Sequence, residues 1–162
     1  MKHRISLIAA VTVVIAAFLF WWLSPTQVLK RRTEKLLSVL TFDEGRNLVS
    51  SQMSGYSLNA LVAKELTLET PTVAEANGTF DRDQIETGFA WLGTQSKFTK
   101  FKVREFQSVS VNGDQATVEA KIDGTVVLAE YRPVDGLYNV TLHWQREEDG
   151  WRLTKAKWVE GK

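Results

Sequence analysis

The chain contains no cysteine. Disulfides, thiol catalysis and thiolate metal sites are therefore excluded. So is attachment to a membrane through a lipidated N-terminal cysteine. The redox compartment stays open, because a cysteine-free chain suits either side of a membrane. Histidine is scarce too: His3 and His143 are the only two. His3 lies ahead of a long apolar run, so the body of the chain has no pair of histidines to offer a metal. Neither a metal site nor a cofactor is expected. Net charge is also lacking. Lys and Arg number 20 against 19 Asp and Glu, leaving +1, so no overall field draws in nucleic acid. No internal repeat or low-complexity tract interrupts the 162 residues, a length that fits one domain with an appendage.

The appendage is the first 23 residues. Ile5 to Leu23 reads ISLIAAVTVVIAAFLFWWL, without one charged side chain. As a helix this run reaches roughly 28 Å, close to the hydrocarbon thickness of a bilayer. Trp21 and Trp22 stand at its end, where amphipathic rings favour the interface. A cleavable secretory signal is the competing reading. Its cut needs small residues after the run, whereas the Ala pairs at 9–10 and 16–17 lie within it. The run is read as an uncleaved transmembrane anchor. Lys2 and Arg4 precede it, and Lys30, Arg31, Arg32 and Lys35 come after it. A strict positive-inside count puts the domain in the cytoplasm. A short basic tail before an apolar run is also the pattern of a signal-anchor that exports the downstream domain. An extracytoplasmic, periplasmic domain is the reading adopted, with the cytoplasm left open.

Residues 24–162 form the domain. Ser24 reads as an N-cap, Pro25 as the first helical residue and Gln27 as its capping-box partner. Leu29, Leu36 and Leu40 then recur at helical spacing. The Lys30-Arg31-Arg32 run on this helix has two readings: a solvated face, or contact with anionic headgroups beside Trp21 and Trp22. A second short helix is expected over 43–53, a third from Ser57 to about Leu66, and a strand over Leu66–Thr70. Asp81-Arg-Asp-Gln84 repeats the capping box and launches a helix through Phe89, Trp91 and Leu92. From Phe98 the period changes to two. Val109 and Val111 lead into Asn112-Gly113, a strong hairpin signal. Ala116, Val118, Ala120 and Ile122 alternate after it, Tyr138 to Trp144 form another apolar stripe, and Asp149-Gly150 turns into the last strand.

Several strings carry a resemblance. They are VSVNGDQATV at 109–118, VTLHWQR at 140–146, DGWRL at 149–153 and GTFDRDQI at 78–85. Together they resemble the nuclear-transport-factor-two-like, or ketosteroid-isomerase-like (SnoaL-like), superfamily over roughly residues 26–160. The resemblance implies an α+β fold. Behind the transmembrane helix it expects a cone of three to four helices packed on a strongly bent antiparallel sheet. It also implies a pocket or core lined by Trp91, Trp144 and Trp151. The superfamily includes small-molecule enzymes and non-catalytic domains, some membrane-anchored in the bacterial envelope, so the fold does not name a reaction.

An isomerase of this type needs a carboxylate base and a donor such as tyrosine. Glu105 shares the parity of Val103 and Val109 and would point inward, unless a bulge between Arg104 and Phe106 intervenes. Tyr138 shares the parity of Val140. Asp123 and His143 oppose the apolar stripes beside them and are read as outward-facing. The outer sheet face would carry Lys100, Lys102, Arg104, Lys121, Lys155 and Lys157, with Trp158 among them. An exposed aromatic there marks a docking surface, so Lys102, Lys121 and Trp158 are the candidate partner surface for a homodimer or an envelope protein. The leading reading is a membrane-tethered, non-catalytic binding or assembly domain. The alternative is an isomerase, dehydratase or hydrolase acting on a small molecule through Glu105 and Tyr138.

Overall fold

A computed structural model of the chain describes residues 2–42, 55–70, 76–128 and 134–161, with side chains described from residue 12 onward. The second helix expected over 43–53 lies outside the described residues. The N-terminal run forms helix α1, Lys2–Trp22. Ser24 then caps a new helix, α2, Pro25–Val39, its Oγ accepting from the Gln27 N–H at 3.5 Å. The two helices meet at a 55° bend. Among the described residues no single helix is long and apolar enough to cross a membrane; the pair Thr12–Trp22 and Pro25–Val39 meets that test together. Helix α2 buries Leu29, Thr33, Leu36, Leu37 and Val39, the i, i+4, i+7 stripe of a helix lying on a core.

The helix expected from Ser57 to Leu66 is cut short. A helical turn occupies 55–59, and strand β1 runs Val62–Glu69. Leu58, Leu61 and Val62 are buried, but the backbone is claimed by the C-terminal strand. Leu153 donates its N–H to the Leu61 carbonyl at 2.8 Å, and Val62 pairs with Leu153. Strand β2, Gly78–Asp81, turns straight into helix α3, Arg82–Gln95. There the reciprocal capping box of Asp81 and Gln84 forms as the sequence indicates, with both bonds at 2.9 Å.

Four long strands complete the chain: β3, Ser96–Asn112; β4, Gln115–Leu128; β5, Val134–Glu147; and β6, Gly150–Glu160. The sheet order is β2-β1-β6-β5-β4-β3. It is mixed, which corrects the antiparallel expectation: β1 lies parallel to β6. Parallel neighbours need a long crossover, and here everything between β1 and β6 supplies it. At the β3–β4 hairpin Asn112 pairs with Gln115 and Gly113 takes φ +59. The positive φ falls at the first of the two loop residues, as a type II′ turn requires.

Register shifts bend the sheet. Against the strict alternation of β4, strand β3 carries an extra residue at Lys97, at Arg104 and at Gln107. Strand β6 carries one at Thr154. Each bulge sharpens the local twist and resets which side chains face inward. The inner face buries two clusters. Ala116, Val118, Leu142, Trp144, Trp151 and Leu153 pack with Leu29, Leu36 and Val39 of α2 and Phe89 of α3; Ala120, Ile122 and Val140 pack with Leu37.

Candidate functional site

The inner face beyond Leu37 is the first place to look for a site. Phe101, Val103, Phe106, Tyr138 and Trp158 are half-buried there against the second cluster. Gly124 and Gly136 pair across β4 and β5 and make a flat floor under the Tyr138 ring. Burial raises the Tyr138 hydroxyl above the ordinary phenol range, and the Glu160 and Asp135 carboxylates raise it further. The phenol is therefore neutral across physiological pH and able to donate. Glu160 pairs with Tyr138 across β5 and β6. Sequence parity missed this proximity because the bulge at Thr154 lies between Leu153 and Glu160.

The same bulges overturn two expectations. Glu105 does not face inward. Arg104 is the extra residue, so Glu105 pairs with Lys121 on the outer face, where its side chain is 61% exposed and lies 3.5 Å from the Lys121 ammonium. Glu105 and Tyr138 thus stand on opposite sides of the sheet. Trp158 moves the other way: the Thr154 bulge turns it inward to pack against Val140's cluster, and it is not part of an exposed docking face. A third expectation falls on α3. Ile85, Phe89 and Leu92 turn inward at i, i+4 and i+7, leaving Trp91 on the far side of the helix, 55% exposed. Trp144 and Trp151 are core residues, at 1% and 4%.

On the outer face, cations are matched by carboxylates. Arg104 sits 3.6 Å from Asp123, and Lys155 and Lys157 bracket Glu69 at 2.6 and 3.9 Å. The hydrogen bond from Lys155 holds the Glu69 carboxyl below its ordinary range. Lys102 is exposed on β3. His143 points outward as expected, its Nδ1 3.2 Å from the Thr117 hydroxyl. With Gln115, Gln145 and Thr154 these two line a shallow polar recess.

The basic run on α2 divides into three separate jobs. Arg32 is structural. Its guanidinium donates to the carbonyls of Trp151 at 2.5 Å and Ala60 at 3.2 Å, beside Arg152, which donates to the Asn59 carbonyl at 2.6 Å and to Asp149. Burial, and then the Arg152 charge, lower the Arg32 pKa, with Asp149 opposing them. Gly150, at φ +128, makes room: a Cβ there would run into the Arg32 guanidinium. Arg31 turns back to α1, donating to the Trp22 carbonyl at 2.7 Å and lying 4.3 Å from its ring centre. Trp22 in turn stacks on Phe18, with centroids 5.8 Å apart, and Trp21 is 6.3 Å from Trp22. Lys30 places its ammonium 5.3 Å from the Phe106 ring centre. It borders a small recess lined by Thr26, Phe106, Gln107, Ser108 and Val109.

This order of elements, with a helix laid across a sharply bent sheet, is shared with known structures. A superfamily protein from Salmonella enterica matches with a TM-score of 0.64 at 14% identity, covering 85% of this chain and 91% of the other. The fold is NTF2-like. The CaMKII hub of S. rosetta matches with a TM-score of 0.64 at 16% identity, over 85% of this chain and 98% of the other. A proposed dehydratase of the NTF2-like family from Streptomyces avermitilis matches with a TM-score of 0.63 at 15% identity, over 85% and 96%. At these identities the likeness speaks to the NTF2-like fold and not to activity. No family model and no curated relative matches by sequence.

Proposed function

We propose that the chain is a membrane-tethered, non-catalytic binding or assembly domain, held by α1 and presenting its NTF2-like fold close against the bilayer. The observation that carries this reading is the surface of α1. The large apolar side chains between Val13 and Leu23 are 44% to 84% exposed. They include consecutive residues, so they surround the helix axis and no side is kept for water or for the domain. Such surface costs about 25 cal/mol per Å² in water and nothing in hydrocarbon. The stretch Thr12–Trp22 is by itself too short to cross; counted from Lys2, the 21 residues of α1 reach about 31 Å, close to the thickness of a bilayer core. The aromatic cluster at its end and the Arg31 clamp suit an interface. The domain is read as extracytoplasmic. Reporter fusions after Lys162 test that: activity confined to a cytoplasmic reporter would overturn it.

Two features support binding over catalysis. Glu105 and Tyr138 do not converge, and the buried polar side chains among the described residues are three threonines, Thr33, Thr70 and Thr99, none of them a base. The outer face, with Lys102, Lys121 and His143, is the surface proposed for a second copy or an envelope partner. The S. rosetta neighbour is named a hub, which favours self-association. Light scattering of the detergent-solubilised chain should give a dimer or larger assembly, reduced by Thr141→Arg at the middle of that face. A monomeric wild type would sink the self-association reading.

One observation favours the second reading, an isomerase, dehydratase or hydrolase of small molecules: the neutral Tyr138 phenol beside Glu160. If turnover of any such substrate were found and lost in Tyr138→Phe, the non-catalytic reading would fall.

A further inference from the structure

Of the three consecutive cations Lys30, Arg31 and Arg32 on α2, one is left for a ligand. Arg32 is bonded to two backbone carbonyls and Arg31 to a third. Lys30 has no carboxylate within ion-pair distance among the described residues. Its contact with the Phe106 ring orients the ammonium without using any of its three N–H donors on an oxygen. The recess it borders is small. Ser108 already donates its hydroxyl to Glu119 at 2.8 Å. The side chains of Thr26 and Gln107 make no hydrogen bond within the protein among the described residues, so both can donate outward. Thr26 stands four residues beyond Trp22, in the first turn of α2 past the 55° bend.

We infer that this recess, formed by Thr26, Lys30 and Gln107 over the Phe106 ring, binds the phosphodiester of an anionic phospholipid headgroup. The inference rests on the membrane-tether reading, which puts the recess at headgroup depth. A compact anion with several acceptor oxygens matches one ammonium, one hydroxyl and one amide N–H on a short arc. The recess has no room for an acyl chain, so it reads the headgroup alone. A neutral zwitterionic lipid carries its own cation beside the phosphate and competes with Lys30 for it, so an anionic lipid is preferred.

The test is native mass spectrometry of the full chain released from mixed micelles holding equal phosphatidylglycerol and phosphatidylcholine. Wild type should retain one phosphatidylglycerol in preference to phosphatidylcholine by about tenfold, the value of one charge-assisted hydrogen bond. Lys30→Gln should bring the ratio near one, Gln107→Ala should lower it, and Lys100→Gln, on an exposed part of β3, should leave it unchanged. Equal retention of both lipids by wild type, or an undiminished preference in Lys30→Gln, overturns the site. Inorganic phosphate added at millimolar concentration separates the two sources of the anion. If it displaces the lipid, the site belongs to free phosphate and the lipid assignment is wrong; if the lipid stays, the assignment stands. Alkaline carbonate extraction reads the tether independently. A chain that stays in the membrane pellet yet shows no lipid preference refutes the recess alone, whereas a chain released by carbonate refutes the tether.

Discussion

Gly124 shows how tightly single residues constrain the packing of the inner face. A Cβ there would lie 3.2 Å from both the Phe101 and Tyr138 rings. Gly124→Ala should therefore cost about 1–3 kcal/mol by overpacking, seen as a lowered melting temperature, while Gly88→Ala, with open space around it, should not destabilise. Arg32 is the second test at this scale. Removing it leaves the Trp151 and Ala60 carbonyls without their charged donor, so Arg32→Ala should cost about 1.5–3 kcal/mol; a loss as small as that of an exposed Arg would contradict its structural role. Glu69 and Asp149 give the pH dependence. Both carboxyls are held below their ordinary values, first by hydrogen bonds from Lys155 and Arg152 respectively. Their contribution is complete above the unfolded values of 4.5 and 3.8 and is lost as pH falls through the lower folded values. The double variant Glu69→Gln, Asp149→Asn should lose less stability than wild type between pH 5 and pH 3, measured by thermal melts. The jobs of Arg31 and Arg32 were not legible in the KRR run, because their acceptors are carbonyls that the fold brings in from 9 to 119 residues away.

Elements differ in how openly the sequence declares them. Strands β4 and β5 alternate without a break, and their inward residues Ala116 to Ile122 and Val140 to Trp144 are buried as that alternation requires. The cap of α3 is equally plain, since both halves of the Asp81–Gln84 box are local. Strands β3 and β6 are not readable in this way. A bulge is a backbone event without a residue signature of its own, and one extra residue reverses every side chain beyond it. Glu105 and Trp158 face opposite to their parity for that reason. Trp91 is a different case: the Ile85, Phe89, Leu92 spacing is present in the sequence and by itself excludes Trp91 from the inner face. The parallel pairing of β1 with β6 was invisible, being a contact between the two ends of the domain. The bulges have a direct test. Deleting Arg104 removes only the extra residue, so Val103 and Phe106 stay inward and Glu105 outward in plain alternation with β4, and the loss should be under about 3 kcal/mol. Deleting Lys102 instead puts Arg104 opposite Ile122 on the inner face and Val103 on the outer one, and should cost more than about 3 kcal/mol from the buried charge and the exposed apolar side chain together. Similar losses in the two, by urea denaturation, would refute the assignment of Arg104 as the extra residue.

The molecule as a whole joins an all-round apolar helix to an NTF2-like domain through a junction with no slack. Trp22 ends α1, Ser24 caps α2, and Arg31 reaches back to hold Trp22. Such a junction fixes the domain's attitude to the surroundings of α1, and it sets the Lys30 recess beside the first turns of α2, just past the bend. Under the proposed tether, the domain would be a surface held at a set height above the bilayer. Tether, recess and set height all depend on α1 being in the membrane, and alkaline carbonate extraction of membranes carrying the full chain measures that without an intermediate step. The full chain should remain in the pellet, while a chain beginning at Ser24 should be recovered in the supernatant. Release of the full chain into the supernatant would contradict the membrane tether.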